Sequence, residues 1–367
     1  MSLHVEASLD RNTPIYLAGE DVSVQVVIRN DGQATETLAW GSVQLTSDRT
    51  RSGRRKTHEN ATTAISSSPH NVFHSAPVVI FCDLHIACNE TRSFSCTLRL
   101  PLIGVPPTFR GHLIRFGNKL TVAVARICAP IRTLSLPMRV LLSVGLPSSL
   151  KRPALLLQPF LAGDEWMEAS VCQLVTAEVD KMTAARRPLL FALTNSSGKV
   201  ANLTLFKKTF RLGEDVVGEV SFSDCSPCLS TLQFTVVLET VESLTDADEL
   251  PSGEGPIEPH VTLQAHDEQV CYSLEGSFFR LSIPMNAPPS FHFDISMLKW
   301  RLRFEFVTTS TSREMETHEE EGASCQAPES AEVERLSWQT DIFVLPCTPQ
   351  NAALTDSTLS NSLAISL

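Results

Sequence analysis

Cys225-Ser226-Pro227-Cys228 is the one Cys-x-x-Cys spacing in the chain. Two thiols so placed supply half of a tetrahedral zinc site, or a dithiol redox pair. Zinc needs four ligands, and the sequence offers no matching second pair. A redox pair belongs in a βαβ setting, which the neighbouring residues do not form. Both cysteines therefore read as parts of a turn. His70, His74, Cys82, His85 and Cys88 make a richer cluster. Side chains alternate between the faces of a strand, so Cys82 and Cys88 fall with Leu84 and Ile86, while His85 points the other way. That pattern is core plus surface. Gly-x-Ser-x-Gly, a phosphate loop, a dinucleotide fingerprint and His-Glu-x-x-His are all missing. The sequence thus assigns no catalytic residue, no cofactor and no metal ligand.

Charge clusters offer binding chemistry instead. Arg49, Arg51, Arg54, Arg55 and Lys56 lie in a stretch from Ser47 to Ser75 that is rich in Ser, Thr, Arg and His. Such composition predicts a mobile loop. Its basic run either solvates that loop or contacts an acidic partner or anionic membrane, at ~1 kcal/mol per residue near lipid. Arg54, Arg55 and Lys56 are the partner-binding candidates within it. The stretch from Ser312 to Glu334 carries eight Glu against a single Arg, and either solvates a loop or meets a basic partner.

The chain has 367 residues, 43% of them apolar, and a net charge of −11. That length accommodates two domains with separate cores. The acidic balance argues against nucleic acid, whose phosphates require a basic surface. Met1 to Glu20 contains no apolar run of signal-peptide type, and no stretch approaches the ~20 apolar residues that span a bilayer. The expectation is a cytoplasmic protein, with its ten cysteines reduced and mostly buried in strands and the sequons at Asn60, Asn89, Asn195 and Asn202 unused. An extracellular, disulfide-bonded sandwich is the reading these features oppose.

Two near-repeats organise the elements. Tyr16-Leu17-Ala18-Gly19-Glu20-Asp21-Val22 opens a run with Val22, Val24, Val26 and Ile28 on one face. Phe210-Arg211-Leu212-Gly213-Glu214-Asp215-Val216 opens another, with Gly218, Val220 and Phe222 two apart. Each reads as a turn feeding a half-buried strand, and Gly19 and Gly213 are structural turn residues. Pro106-Pro107-Thr108-Phe109 precedes Leu120, Val122 and Val124, just as Pro288-Pro289-Ser290-Phe291 precedes Leu302, Phe304 and Phe306. The glycine offset of 194 and the proline offset of 182 fit one duplicated module. Short strands with frequent turn signals predict β-sandwiches over residues 1–147 and 189–347, with residues 348–367 a disordered polar tail. Between the modules, residues 148–188 form a linker. There Asp164 precedes a stripe of Trp166, Met167, Val171, Leu174, Val175, Val179 and Met182 at helical spacing. Packing across the seam is the preferred role of that helix. The alternative is a partner-docking stripe, for which Trp166, Val171 and Leu174 are the candidates.

Leu-x-Gly-Glu or Leu-Gly-Glu before an alternating strand, with Pro-Pro-[Ser/Thr]-Phe later in each half, resembles the arrestin fold family. The likeness extends to Leu38-Ala39-Trp40, Phe81-Cys82-Asp83-Leu84, Pro107-Thr108-Phe109-Arg110-Gly111, Leu136-Pro137-Met138-Arg139 and Leu298-Lys299-Trp300-Arg301-Leu302-Arg303-Phe304. In those stretches the chain is similar to the reduced growth phenotype family. The resemblance implies two tandem arrestin-like β-sandwiches and a non-enzymatic role. Specifically, it implies the smaller subunit of a Golgi exchange factor that promotes GDP release from the Rab-six GTPase. A larger β-propeller partner, peripheral Golgi membrane contact and endosome-to-Golgi retrograde transport come with it. A cargo adaptor that binds the sorting motifs of membrane proteins, as arrestin- and retromer-like proteins do, is the competing implication.

If Gly213 serves the turn, Gly213→Val unfolds the second module rather than removing one activity selectively. Thermal melting followed by circular dichroism checks this, and a folded variant with wild-type melting refutes it.

Overall fold

Apolar residues at every second position build strands, and strands dominate the computed structural model. It describes residues 3–55, 63–66, 69–127, 129–142, 171–184, 187–226, 229–245, 258–272, 274–310, 332–355 and 360–366. The first half contributes β1 (Leu3–Leu9), β2 (Ile15–Leu17), β3 (Asp21–Asn30), β4 (Glu36–Arg55), β5 (Thr63–Ser66) and β6 (His70–His74). It continues with β7 (Val78–Ile86), β8 (Thr91–Arg99), β9 (Phe109–Arg110), β10 (Ile114–Arg126) and β11 (Arg132–Leu141). Helix α1 (Val171–Ala184) follows. Then come β12 (Leu189–Asn195), β13 (Gly198–Leu205), β14 (Thr209–Arg211), β15 (Asp215–Ser221) and β16 (Ser230–Leu244). The second half is completed by β17 (His260–Val270), β18 (Gly276–Ser282), β19 (Phe291–Phe293), β20 (Ser296–Thr309) and β21 (Glu334–Leu345). The chain closes with α2 (Pro349–Ala353) and β22 (Ser362–Ser366).

Each half pairs a small sheet with a large one. The small sheets run β22-β1-β3-β8 and β12-β13-β15-β18. The large ones run β2-β11-β10-β4-β5, with β6 and β7 on β4 and β9 on β10, and β14-β21-β20-β16-β17, with β19 on β20. This is an all-β protein with tandem sandwich-like modules. The expected inward faces form the cores: Val22, Val24, Val26 and Ile28 are at most 1% exposed, and so are Leu120, Val122, Val124, Leu302, Phe304 and Phe306. Each fully buried aliphatic side chain contributes roughly 1.5–3 kcal/mol, so these faces dominate the stability of each module.

The repeated Gly-Glu-Asp turns cross between sheets. β2 lies parallel to β11 in the large sheet (Tyr16 opposite Val140), whereas β3 lies in the small one. β14 and β21 repeat this with Phe210 opposite Val344, and β15 again starts the small-sheet strand. Gly19 has φ +94 and Gly213 φ +81, left-handed conformations that an L side chain strains to reach. The following glutamate closes each turn through its carboxylate: Leu17 N–H donates to Glu20 at 2.7 Å and Arg211 N–H to Glu214 at 3.1 Å. Each carboxylate also takes a cation that covers an aromatic ring. Arg11 lies 4.3 Å from the Tyr16 centroid and Lys207 lies 5.0 Å from that of Phe210. Asp21 and Asp215 then tie the new strand to its neighbour. A hydrogen bond from Arg99 holds the Asp21 carboxyl below its usual range, and bonds from Ser282 and Arg280 do the same for Asp215.

Several expectations need correction. The stretch from Ser47 to Ser75 holds strands rather than a loop alone, because β10 extends β4 as far as the pairs of Phe116 with Arg49 and Ile114 with Arg51, and β5 and β6 pair with β4 in turn. The tail is not disordered over its described residues. Thr348 caps α2, and β22 pairs with β1, so the chain's end joins the sheet formed by its beginning. Polar composition hid this, because Ile365 packs against the first core while its neighbours face outward. Cys82 is exposed rather than buried. A register shift near Gly41 and a positive φ of 49 at Asp83 interrupt the alternation, so Phe81 and Ile86 are the buried residues of β7. Of the seven described cysteines, all free, only Cys271 and Cys347 are buried.

Gly41 faces Phe81 so closely that an added Cβ would lie 2.3 Å from its ring. Gly117, also in a strand, has nothing within 4 Å of that position. Gly41→Val should therefore cost about 1–3 kcal/mol by overpacking, while Gly117→Ala leaves stability unchanged or slightly raised. Chemical denaturation of the two variants measures the difference.

Candidate functional site

The two Pro-Pro-x-Phe motifs meet each other. In both, the small hydroxyl residue anchors to the strand beside the parallel end strand of its large sheet. Thr108 N–H donates to Val140 O at 2.9 Å and its hydroxyl accepts from Val140 N–H at 2.9 Å. Ser290 repeats the pair with Val344 at 2.8 and 3.0 Å. With the backbones so fixed, Phe109 and Phe291 meet edge to face with centroids 5.0 Å apart, and Phe116 meets Phe293 at 5.6 Å. The cores interpenetrate at this seam. Phe291, Ile295 and Leu298 bury into the first module's cluster, and Ile15, Leu17 and Leu141 into the second's.

A buried carboxylate fastens the same joint. Glu242 is 4% exposed on the inward face of β16, two positions beyond Thr240. Its oxygens accept the backbone N–H groups of His112, Leu113 and Ile114 at 2.7, 3.0 and 2.8 Å. Three donors at that range replace the water the charge has lost, which makes burial of the carboxylate tolerable. Beside it the rings of His112 and His260 stack with centroids 3.9 Å apart. Arg139 donates to the carbonyls of Asn286 and Ala287 at 3.1 and 3.2 Å, and Arg49 pairs with Asp294. The strands signalled none of this beyond Glu242, an acid in the period-two row of Phe234, Val236 and Leu238.

Helix α1 packs against residues of both modules. Val175 and Val179 are buried in a cluster holding Leu17 and Leu141 from one module and Phe210 and Leu212 from the other. Asp180 pairs with Arg211 at 2.7 Å, and Lys207 Nζ donates to Thr183 O at 3.0 Å. The described part of the helix thus packs within its own protein. Val171 is partly buried and lies 3.0 Å from where a Gly19 Cβ would sit, while Leu174 is half-buried. Arg54 and Arg55 end β4, paired with Ala64 and Thr63. Trp166 and Lys56 lie outside the described residues, as do Asp164 and Met167.

Five of the described thiols are held in their protonated form by their surroundings. Burial pushes Cys96, Cys172, Cys225 and Cys347 upward, and Cys271 up to about 12, which disfavours the thiolate. Cys225 donates to Val200 O at 3.0 Å, and Cys228 is outside the described residues. What the geometry supplies is a packed and hydrogen-bonded joint between two broad sheet platforms. Glu242→Gln removes the charge and one acceptor from three buried donors. It should lower stability by about 1.5–3 kcal/mol, whereas Glu6→Gln, at an exposed position, changes it by less than about 0.5 kcal/mol. Denaturation midpoints for both variants check this.

Comparison with known proteins then places the chain. The family model described as Rgp1 matches residues 167–309. RAB6A-GEF complex partner protein 2 of Homo sapiens is 31% identical over 394 residues, covering 96% of this chain and 96% of that protein. The protein of the same name from Bos taurus is 31% identical over 386 residues, covering 93% of each. With similarity running through both modules and the seam, the chain belongs to the Rgp1 family.

Proposed function

We propose that this chain is the non-enzymatic subunit of a two-protein exchange factor that promotes GDP release from a Golgi Rab GTPase of the Rab-six type. The observation that carries this reading is end-to-end likeness, over 96% of both chains, to a relative named as a partner protein of a RAB6A-GEF complex. The partner is a larger β-propeller subunit, and the complex works peripherally on Golgi membranes in endosome-to-Golgi transport. Nucleotide exchange needs no covalent step. A surface that binds the nucleotide-free GTPase more tightly than the loaded form lowers the affinity for GDP by the same factor. Two arrestin-like modules, divided by a linker over residues 148–188, suit such a role because sheet faces joined by a rigid seam hold a large interface without reorganising. Trp166, Val171, Leu174, Arg54, Arg55 and Lys56 remain the proposed contacts with partner or membrane.

Affinity capture of the full chain from cells should recover a propeller-containing subunit. The reconstituted pair should accelerate release of a fluorescent GDP analogue from the Rab-six GTPase, where this chain alone does not. Capture without a propeller subunit, or a pair that leaves the release rate unchanged, overturns the proposal.

A further inference from the structure

β20 carries two different neighbours along one side. Phe291 and His292 of β19 lie opposite Leu298 and Met297, and β21 takes over at Trp300, opposite Ile342. Beyond Ile342, β21 turns away to pair Phe343 with Thr209 of β14. The sheet therefore forks, and a groove of about 250 Å³ opens between β19 and β21. Its floor is Phe291, Leu298 and Ile342, and Met297 and Phe343 form half-buried walls. Lys208 and Lys299 stand exposed on its rim, with His292 near them and Asp341 the one acid among the lining residues. Neither lysine makes an ion pair among the described residues.

The groove is not isolated. Val241 sits in register with both Lys299 and Val261, so all three share the outer face of the sheet. Val261 and Leu263 are 43% and 58% exposed on β17, the strand that ends this sheet, so exposed apolar side chains recur on the same outer face beyond Lys299 and Val241. Contiguous apolar surface with a polar rim marks an interaction site.

We propose that this fork docks a protein segment bearing one or two bulky apolar side chains flanked by carboxylates. The volume lies below the ~300–1,000 Å³ typical of small-molecule sites and suits the anchor side chains that dominate protein interfaces. Two lysines facing solvent, unpaired among the described residues of a chain of net charge −11, select an acidic neighbour locally. A recessed floor favours a projecting side chain over the flat surface of a membrane. The inference stands apart from the exchange-complex reading, since it requires neither a GTPase nor a propeller subunit.

The test uses the full chain and a fluorescent peptide carrying a Leu-Phe pair between clusters of glutamates. Matched controls replace the glutamates with lysines, or the Leu-Phe pair with alanines. Saturable binding in the range of about 10–100 μM is expected, with a shift of the Met297 methyl resonance in methionine-labelled protein. Lys208→Glu combined with Lys299→Glu should weaken it roughly tenfold or more without changing the melting temperature, because both side chains are exposed. Loss of binding by the alanine control also supports the groove. No saturable binding up to about 1 mM, equal binding of the lysine-flanked peptide, or indifference to the charge reversal overturns the proposal. Sedimentation with phosphatidylserine vesicles that the reversal abolishes, in the absence of peptide binding, overturns it in favour of a lipid surface.

Discussion

Each module must pass its chain from the large sheet to the small one within three residues, and the backbone can do so only in a left-handed conformation. Gly19 and Gly213 meet that requirement, and the glutamate after each folds back to take the N–H two residues before the glycine. The corner then fixes everything downstream. It sets the phase of β3 and β15, so that valines rather than serines face the core. It also places Asp21 and Asp215 beside Arg99 and Arg280 at 2.8 Å. A one-residue error at such a corner would turn each strand inside out. The glycines are not equivalent in surroundings, since Val171 of α1 covers Gly19 whereas Met285 covers Gly213. The first corner is thereby tied to the helix, and through it to the second module.

The seam solves a different problem, the relative placement of two sandwiches that could otherwise turn against each other. Apolar packing alone is tolerant of small rotations. A buried carboxylate that needs three particular N–H groups is not, because any other arrangement strands a charge in a place without water. Glu242 therefore specifies orientation as well as contributing stability. Phe109 and Phe291 belong to the two occurrences of one motif, anchored by the same hydroxyl chemistry, and these contact each other. The floor of the groove at the β19–β21 fork is made partly of Phe291 and Leu298, which also bury into the first core. The seam and that outer surface thus share residues.

Both small sheets also need their outermost strand covered. In the second module β12 leads in from the linker and pairs with β13. In the first module β22 fills the corresponding place on β1. An unpaired row of backbone donors and acceptors invites association with other chains. The strand after the linker and the strand after α2 thus give the halves the same four-strand order from different parts of the sequence.

Local chemistry determined a good deal. Period-two runs fixed the strands and their inward faces, because alternation is imposed by the pleat itself. The repeated Gly-Glu-Asp and Pro-Pro-x-Phe stretches revealed the duplication, because a left-handed corner tolerates few residues. Helical spacing located α1, since a stripe that wide must be buried. Other features were decided only in three dimensions. Whether Ser47 to Arg55 pairs depends on β10 as far as Arg51 and on β5 beyond it, and the order of the tail depends on β1 offering an open edge. Cys82 faces solvent because of a register shift that no residue type announces. Glu242 stood in a core row of its strand, but its purpose lay in the backbone of residues more than a hundred positions away. Sequence encodes the periods and the turns through short-range sterics, while partners distant along the chain are chosen by the packing of finished sheets.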